Sequence, residues 1–562
     1  MPAYLSDILA GEYLNDGLPA GFHIFRQGVF LFIGKNSAGS RRFAIEICYI
    51  CRFMDSKHQT DSRRIARNTL LLYGRMLLTM LLGLYTSRVV LDALGFEDSG
   101  VYSAVGGFVA MFTVISGSLS SAINRFLTFE LGRGEQGRPA EVFSAAVTIQ
   151  LLLALCIIIG AEALGAWYCP KYLVIPAGRL HAVQWVLQFS ILTFAINLVS
   201  VPYNAAIIAH ERMKVFAGIG IGEAVAKLAV ALLIAHSAGD RLILYAALMC
   251  LVAVLVRVTY GVYCRRHFSE CKVRLHYDGA LLKRMASFAG WNFIGSSSAV
   301  LRDYGGTLLL NFFHGPAVNA ARAQAQQLCG AVQGFVSNFM TAINPQIIKS
   351  YASGDKAYMM MLVNRGARLS FLLMLLLGLP VIFNIDFLLD FWLKDVPPHT
   401  ALFSQLVIIF AATEALSHPL VTAALAGGNI RNYQLIVGGL QLLNLPLSWV
   451  LLARGWAPET VTVVAIILSQ VCLFARLALL RGMVGLNAKE YLAQVYLRVL
   501  AVSAMSAVPM TFVQKAMPGG WGGLFLSCAV IVIWTGVCIW VAGLQKDERE
   551  FIKSRLARRM RG

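Results

Sequence analysis

From Asn68 to Gly543 the chain is a succession of apolar stretches, most longer than twenty residues, joined by short polar turns. At 1.5 Å per residue, a helix of about 20 residues crosses the ~30 Å hydrocarbon core of a bilayer. Lipid offers backbone groups no partners, so only segments that satisfy their own hydrogen bonds can span it. The stretches fall near 68–94, 99–124, 139–165, 180–205, 211–236, 241–264, 284–311, 316–347, 358–386, 400–426, 430–453, 459–481, 491–515 and 521–543. Charged residues make up only 14% of the chain, against ~25% in soluble proteins. These features predict an all-α polytopic membrane protein with about fourteen transmembrane helices.

The loops alternate in charge. One set carries Arg63, Arg64, Arg67; Arg133, Arg138; Arg212, Lys214; Arg265, Arg266, Lys272, Arg274; Lys349, Lys356; Arg481, Lys489; and a basic tail, whereas the other carries few cations and the acids Glu97, Asp98, Asp390 and Asp395. Under the positive-inside rule both termini are cytoplasmic and the number of spans is even. The same rule absorbs the formal charge of +19, so nucleic acid is not the expected partner. The tail's cations suit a topology signal or a contact with anionic lipid. Most of the eleven Cys lie in apolar runs, where free Cys behaves as a small hydrophobe. The lone pair Cys48 and Cys51 is too little for a zinc or redox motif.

Residues 1–53 hold only short mixed runs, and Met54 opens a polar, basic lead-in to the first span. Translation is therefore expected to start at Met54. The predicted organisation is an N-terminal extension and lead-in (1–67), an N-lobe of spans 1–6 (68–265), a cytoplasmic linker (266–283), a C-lobe of spans 7–12 (284–482), spans 13–14 (491–543) and the basic tail (544–562).

The two lobes follow from an internal repeat. Gly95 and Gly315, Asn124 and Asn344, and Gly134 and Gly354 are each 220 positions apart. Later, VPYNAAIIAHERMK at 201–214 resembles HPLVTAALAGGNIRNY at 418–433. A six-span repeat unit orients both halves alike, related by an axis along the membrane normal, as in alternating-access transporters whose site lies between the halves near midplane. The expected architecture is two pseudo-symmetric six-helix lobes plus two C-terminal helices.

Ionisable residues inside spans are costly and mark function. Those that break the repeat are the substrate candidates. Arg75 stands opposite Gly295, Arg302 and Asp303 opposite Leu82 and Gly83, and Arg322 opposite Tyr102. A guanidinium stays charged and binds phosphate through a planar fork, so Arg75, Arg302 and Arg322 suit an anionic, phosphate-bearing headgroup. Asp303 would position Arg302 or carry a coupling cation. Glu223 and Lys227 stand i, i+4 with Glu leading, the favourable order for a helix pair, and read as self-neutralising or as part of the coupling set. Asn124, Arg125 and Asn344 lie at the expected cytoplasmic ends of spans 2 and 8, where they could latch an inner gate. Arg257 and Arg476 lie near span ends and are expected to snorkel. Glu414 and His418 share a face of span 10 and could relay protons. The Gly218, Gly220, Gly222 run is expected to mark close helix packing. No nucleotide, zinc-protease or hydrolase motif is present, so neither enzyme chemistry nor a cofactor is expected.

TSRVVLDALG at 86–95, then Gly100-Val101-Tyr102, then a Ser-rich stretch ending in Asn124-Arg125-Phe126 resemble the opening of bacterial polysaccharide-transport flippases. These are Wzx-type O-antigen and exopolysaccharide flippases of the multidrug/oligosaccharidyl-lipid/polysaccharide exporter superfamily, and the resemblance extends over residues 67 to about 480. It implies 12–14 spans, a cationic central cavity, a location in the bacterial inner membrane and a role in surface polysaccharide or lipopolysaccharide biosynthesis. It also implies an undecaprenyl-diphosphate-linked oligosaccharide as cargo, with membrane lipid and the polymerase and chain-length machinery as partners. Arg75, Arg302 and Asp303 match the charges such cavities carry. The alternatives are a cation-coupled multidrug exporter, which would want acidic pockets, and a membrane-embedded polymerase or ligase, which would want a substantial outer loop.

Overall fold

The computed structural model describes residues 38–110, 112–172, 179–237, 239–272, 278–393, 396–514, 517, 520–550 and 553. The expected extension lies outside these residues as far as residue 37, and so does most of the basic tail. The chain separates into two compact units, Met1–Arg67 and Asn68–Gly562. The first is described from residue 38, as helix.

The described residues form helices and turns with no strand. In the second unit the first half comprises α1 (Ala38–Ala110, from Asn68 on), α2 (Thr113–Gly132), α3 (Pro139–Tyr172), α4 (Leu180–Ala209), α5 (Met213–Ala235) and α6 (Arg241–His267). The second half comprises α7 (Gly279–His314), α8 (Pro316–Ala352), α9 (Lys356–Phe383), the short α10 (Ile385–Trp392), α11 (Thr400–Gly427), α12 (Arg431–Leu442), α13 (Asn444–Ala453) and α14 (Thr460–Met483). Then follow α15 (Ala488–Tyr491), α16 (Leu497–Gln514) and α17 (Gly520–Cys538). Within the first half, α4 packs on α2, α3 and α6, and α5 on α6; within the second, α8, α9 and α14 pack on α11, and α12 on α7 and α14. The result is two helical lobes, with α16 and α17 laid against α9.

Among the described residues, eleven helices are long and apolar enough to cross a membrane, and the chain is a multi-pass membrane protein. The predicted spans 99–124, 284–311 and 316–347 are not among the eleven. α7 and α8 nonetheless run 36 and 37 residues. They carry Arg302, Asp303, Arg322 and several amides, which lower their apolarity because one face lines a polar cavity rather than lipid.

The repeat is legible in the backbone. Gly95 breaks α1 at φ 76°, ψ 175°, and Gly315 separates α7 from α8 at φ 81°, ψ −176°. This region of conformational space is open essentially to glycine alone. A single glycine therefore makes the same sharp turn, 220 positions apart, in both halves. Gly134 and Gly354, the next pair in the repeat, also have positive φ, at 61° and 81°.

The C-terminal addition is fastened by charge. Arg368 of α9 is wholly buried and donates to Glu548 Oε1 at 2.5 Å, and Arg365 Nε lies 3.5 Å from the same oxygen. Leaving a buried guanidinium unpaired would be costly, so this pair holds the segment after the last span against the second lobe.

Candidate functional site

A cavity of about 400 Å³ lies within the second half, walled by α7, α8, α11, α13 and α14. Arg302, Asp303 and Arg322 line it together. The expected placement between the lobes does not describe this cavity, which the second lobe builds alone. Arg302 Nε and a terminal nitrogen reach the two carboxylate oxygens of Asp303 at 3.0 and 3.3 Å, and the guanidinium carbon lies 4.9 Å from the centre of the Phe410 ring. Arg322 is only 7% exposed. It donates to the Asp303 carbonyl at 3.4 Å and to Thr307 Oγ1 at 3.3 Å, while its buried Nε has no partner. The cavity thus holds two guanidiniums and one carboxylate, which Arg302 alone engages, and Arg322 keeps a donor with no partner among the described residues.

The backbone is shaped around Arg322. A Cβ on Gly306 would sit 2.8 Å from one Arg322 terminal nitrogen and 3.1 Å from Val461 Cγ1. A side chain there would have to displace the Arg322 guanidinium from the place it now occupies. On the opposite wall the span of α12 and α13 breaks at Leu443. Pro446 lacks the N–H that would continue the ladder. The break presents Asn444 to the cavity, where it donates to the Val461 carbonyl at 3.4 Å and accepts from Ser448 at 2.9 Å.

Arg75 lies elsewhere, in the first half, and does not line this cavity. Its guanidinium carbon is 4.3 Å from the Phe216 ring centre, its Cδ is 3.3 Å from the place a Cβ on Gly220 would occupy, and its buried Nε has no partner. Gly220 therefore accommodates the Arg75 side chain, whereas Gly218 and Gly222 face open space; close helix packing is not what this run provides. Glu223 and Lys227 form their expected helix pair at 2.6 Å.

The predicted latch residues divide. Arg125 crosses between the halves: it donates to the carbonyls of Leu425 and Ala426 at 3.1 and 2.9 Å at the C-terminus of α11, where the helix dipole favours a cation. Its guanidinium carbon lies within 4.6 Å of the ring centres of Phe126 and Phe129. Asn124 donates to Ser120 in its own helix, and Asn344 accepts from Thr422 in its own half; neither bridges. Sequence reasoning missed the second crossing point, Glu211, whose side chain is 1% exposed. It accepts from Gln346 at 2.6 Å and from Lys349 at 2.8 Å, both on α8. Phe126 with Phe288 and Phe129 with Tyr351 add ring contacts at 5.5 and 6.4 Å. Tyr73 with Phe335, and Met76 with Asn338, join spans 1 and 8. These contacts seal the halves at the end that carries the basic loops.

Residues 65–350 match the polysaccharide biosynthesis protein family. That match covers half of the sequence and spans the first lobe, the linker, and α7 and α8. The chain belongs to this family. No curated protein matches the sequence significantly. Solved structures share the fold at low identity. A MATE transporter crystallised with MaL6 is 9% identical with a TM-score of 0.65, covering 76% of this chain and 96% of that one. The Vibrio cholerae MATE transporter VcmN in its bent form is 13% identical with a TM-score of 0.62, covering 78% and 100%. A Pyrococcus furiosus transporter of the MOP superfamily, described as having a binding pocket of reversed polarity, is 10% identical with a TM-score of 0.61, covering 76% and 96%. The family match bears out the polysaccharide-transport resemblance, and the fold is the one that MATE and other MOP-superfamily transporters share.

One further group of the second lobe differs from expectation. Arg476 does not snorkel: it is 3% exposed, donating to Ser417 at 2.7 Å and to the Tyr433 hydroxyl at 3.2 Å. Glu414 accepts from Ser469 at 2.5 Å, and Ser469 in turn accepts from Thr413. The only sequence signal was the presence of Arg476 and Glu414 in spans, and neither depth nor facing is readable from that.

Proposed function

We propose that the chain is a flippase that moves a polyprenyl-diphosphate-linked oligosaccharide across the bacterial inner membrane, from the cytoplasmic to the outer leaflet, by alternating access. The observation that carries this reading is the second-lobe cavity, which holds Arg302 and Arg322 against the single carboxylate of Asp303 and where the buried Arg322 Nε has no partner among the described residues. Such a site attracts an anion with several acceptor oxygens. A phosphate could take up the free donor and share the Arg302 fork now held by Asp303. The net positive lining disfavours a cationic drug. Arg75, in the other half, would meet the cargo at a different stage of the cycle. The seal at Arg125 and Glu211 would be the closed inner gate, with both termini cytoplasmic as the loop charges indicate.

The test is transport by purified protein in vesicles, with labelled undecaprenyl-diphosphate-linked oligosaccharide as cargo, beside surface polysaccharide in cells. Arg302→Ala and Arg322→Ala should each abolish transport at unchanged protein level. Arg302→Lys should keep part of it, because the charge survives and the fork does not. Undiminished transport by the Arg302→Ala/Arg322→Ala double variant would refute the proposal.

A further inference from the structure

Beside the arginines, the same cavity is lined by side chains that the phosphate reading does not use. Gln326 and Gln333 line it from α8, and both are exposed. Arg322, Gln326 and Gln333 stand at i, i+4 and i+11, spacings that bring them to one helix face. Neither glutamine has a hydrogen-bond partner among the described residues. Each side-chain amide offers two donors and a carbonyl acceptor. The exposed Tyr304 lines the cavity from α7, and the buried Asn444 lines it from α13.

An unpartnered, exposed amide row is unusual in a membrane span, where polar side chains normally find neighbours. It needs an occupant that both donates and accepts. Free phosphate at neutral pH mostly accepts, and a lipid tail does neither. Sugar hydroxyls and acetamido groups do both, and the faces of sugar rings pack on aromatic side chains such as Tyr304. The geometry also sets an order. Along the helix Gln326 lies about 6 Å from Arg322 and Gln333 about 16 Å from it. A ligand anchored by phosphate at Arg322 would place its next group beside Gln326 and later groups towards Gln333.

We infer that Gln326 and Gln333 form a glycan subsite continuous with the phosphate site, contacting hydroxyl or acetamido groups of the sugars attached to the diphosphate. This rests on the proposed function and adds to it: the arginines hold what all such cargoes share, and the glutamines read what differs between them.

The experiment measures binding of two probes to the purified full-length protein: undecaprenyl diphosphate without sugar, and undecaprenyl-diphosphate-linked oligosaccharide. Replacing an exposed Gln by Leu keeps its size and leaves no buried group orphaned, and an unchanged Tm will confirm that the fold is intact. Gln326→Leu and Gln333→Leu should each weaken the glycosylated probe about fivefold, one hydrogen bond's worth, and leave the bare diphosphate unaffected. Arg322→Ala should weaken both. Equal loss of both probes in the glutamine variants, or no loss of either, would overturn the subsite and leave the flippase reading standing. Wild-type protein that binds neither probe would overturn the flippase reading and the subsite with it.

Discussion

The seal between the halves contains an asymmetry that a pair of substitutions can expose. The Glu211 carboxylate is 1% exposed, whereas the Lys349 side chain that meets it at 2.8 Å is 26% exposed. Lys349→Met would take away the cation that meets this buried carboxylate and keep the Gln346 amide at 2.6 Å. Removing one partner of a buried pair costs about 3–5 kcal/mol. Because Lys349 is a quarter exposed and already partly screened, about 2–3 kcal/mol is the better figure here. That cost falls on the sealed arrangement alone, since separating the halves returns Glu211 to water. The balance between sealed and open forms should shift by about 30- to 150-fold. Glu211→Gln should do far less, because the stranded lysine can reach solvent. The double variant should recover most of the loss, as neutral replacements of buried pairs often do. Spin labels at Glu135 and Lys356, exposed positions on opposite halves, will report the separation in reconstituted protein. A second, longer distance should appear with Lys349→Met, be weak with Glu211→Gln and recede in the double variant. Equal effects from the two single substitutions, or an unchanged distance with Lys349→Met, would refute the argument.

Three further outcomes follow from single positions. Gly306→Ala should push the Arg322 guanidinium from its bonds to Thr307 and the Asp303 carbonyl, so transport should fall by at least tenfold with little change in Tm; vesicle transport beside thermal unfolding checks both. Gly315→Ala forces a side chain into the turn between α7 and α8 at φ 81° and should destabilise the protein by about 1–3 kcal/mol, seen as a lowered Tm in detergent. The third concerns pH. Burial pushes the Glu270 carboxyl up, but its bonds to His210, its backbone and Ser269 outweigh this and hold it below the ordinary 4.5. A carboxyl lowered on folding stabilises above its unfolded value, and that contribution is lost as pH falls through the folded one. The Tm gap between wild type and Glu270→Gln should therefore be full near neutrality and shrink steadily below pH 4.5.

What the sequence disclosed and what it hid divide along physical lines. Helix type and the doubled architecture rest on composition and spacing, which act locally; the glycine turns at 95 and 315 could be paired by counting alone. Breaks in the repeat single out Arg75, Arg302, Asp303 and Arg322 alike, and the cavity gathers the last three without Arg75. Their confinement to a cavity of one lobe was not legible, because which face a helix turns to its neighbours depends on packing across several spans. Glu211 went unread for a similar reason. It sits in a loop among basic residues, and its importance comes from Gln346 and Lys349, more than 130 positions away. Arg476 looked like a snorkelling cation because its place near a span end is visible and its enclosure by Tyr433 and Ser417 is not.

The Arg75 exchange shows how a duplicated fold acquires two unlike halves. In the first half a large charged side chain from span 1, Arg75, fills the space opposite Gly220 of span 5. At the matching place in the second half the glycine is on span 7: a Cβ on Gly295 would meet Gln434 Oε1 at 1.9 Å, so the filler is Gln434 of span 11. The large side chain comes from span 1 in one half and from span 11 in the other, and only the first of the two is charged. Gln434 donates to Asn292 at 3.0 Å, and Asn292 donates across the halves to the Ser118 carbonyl at 3.3 Å. The neutral version of the contact is thus wired into the seal, while the charged version leaves Arg75 with a buried Nε unpaired. A scaffold built twice needs such inequalities to hold an asymmetric cargo, and here one lobe received the chain of amides and the other the spare cation.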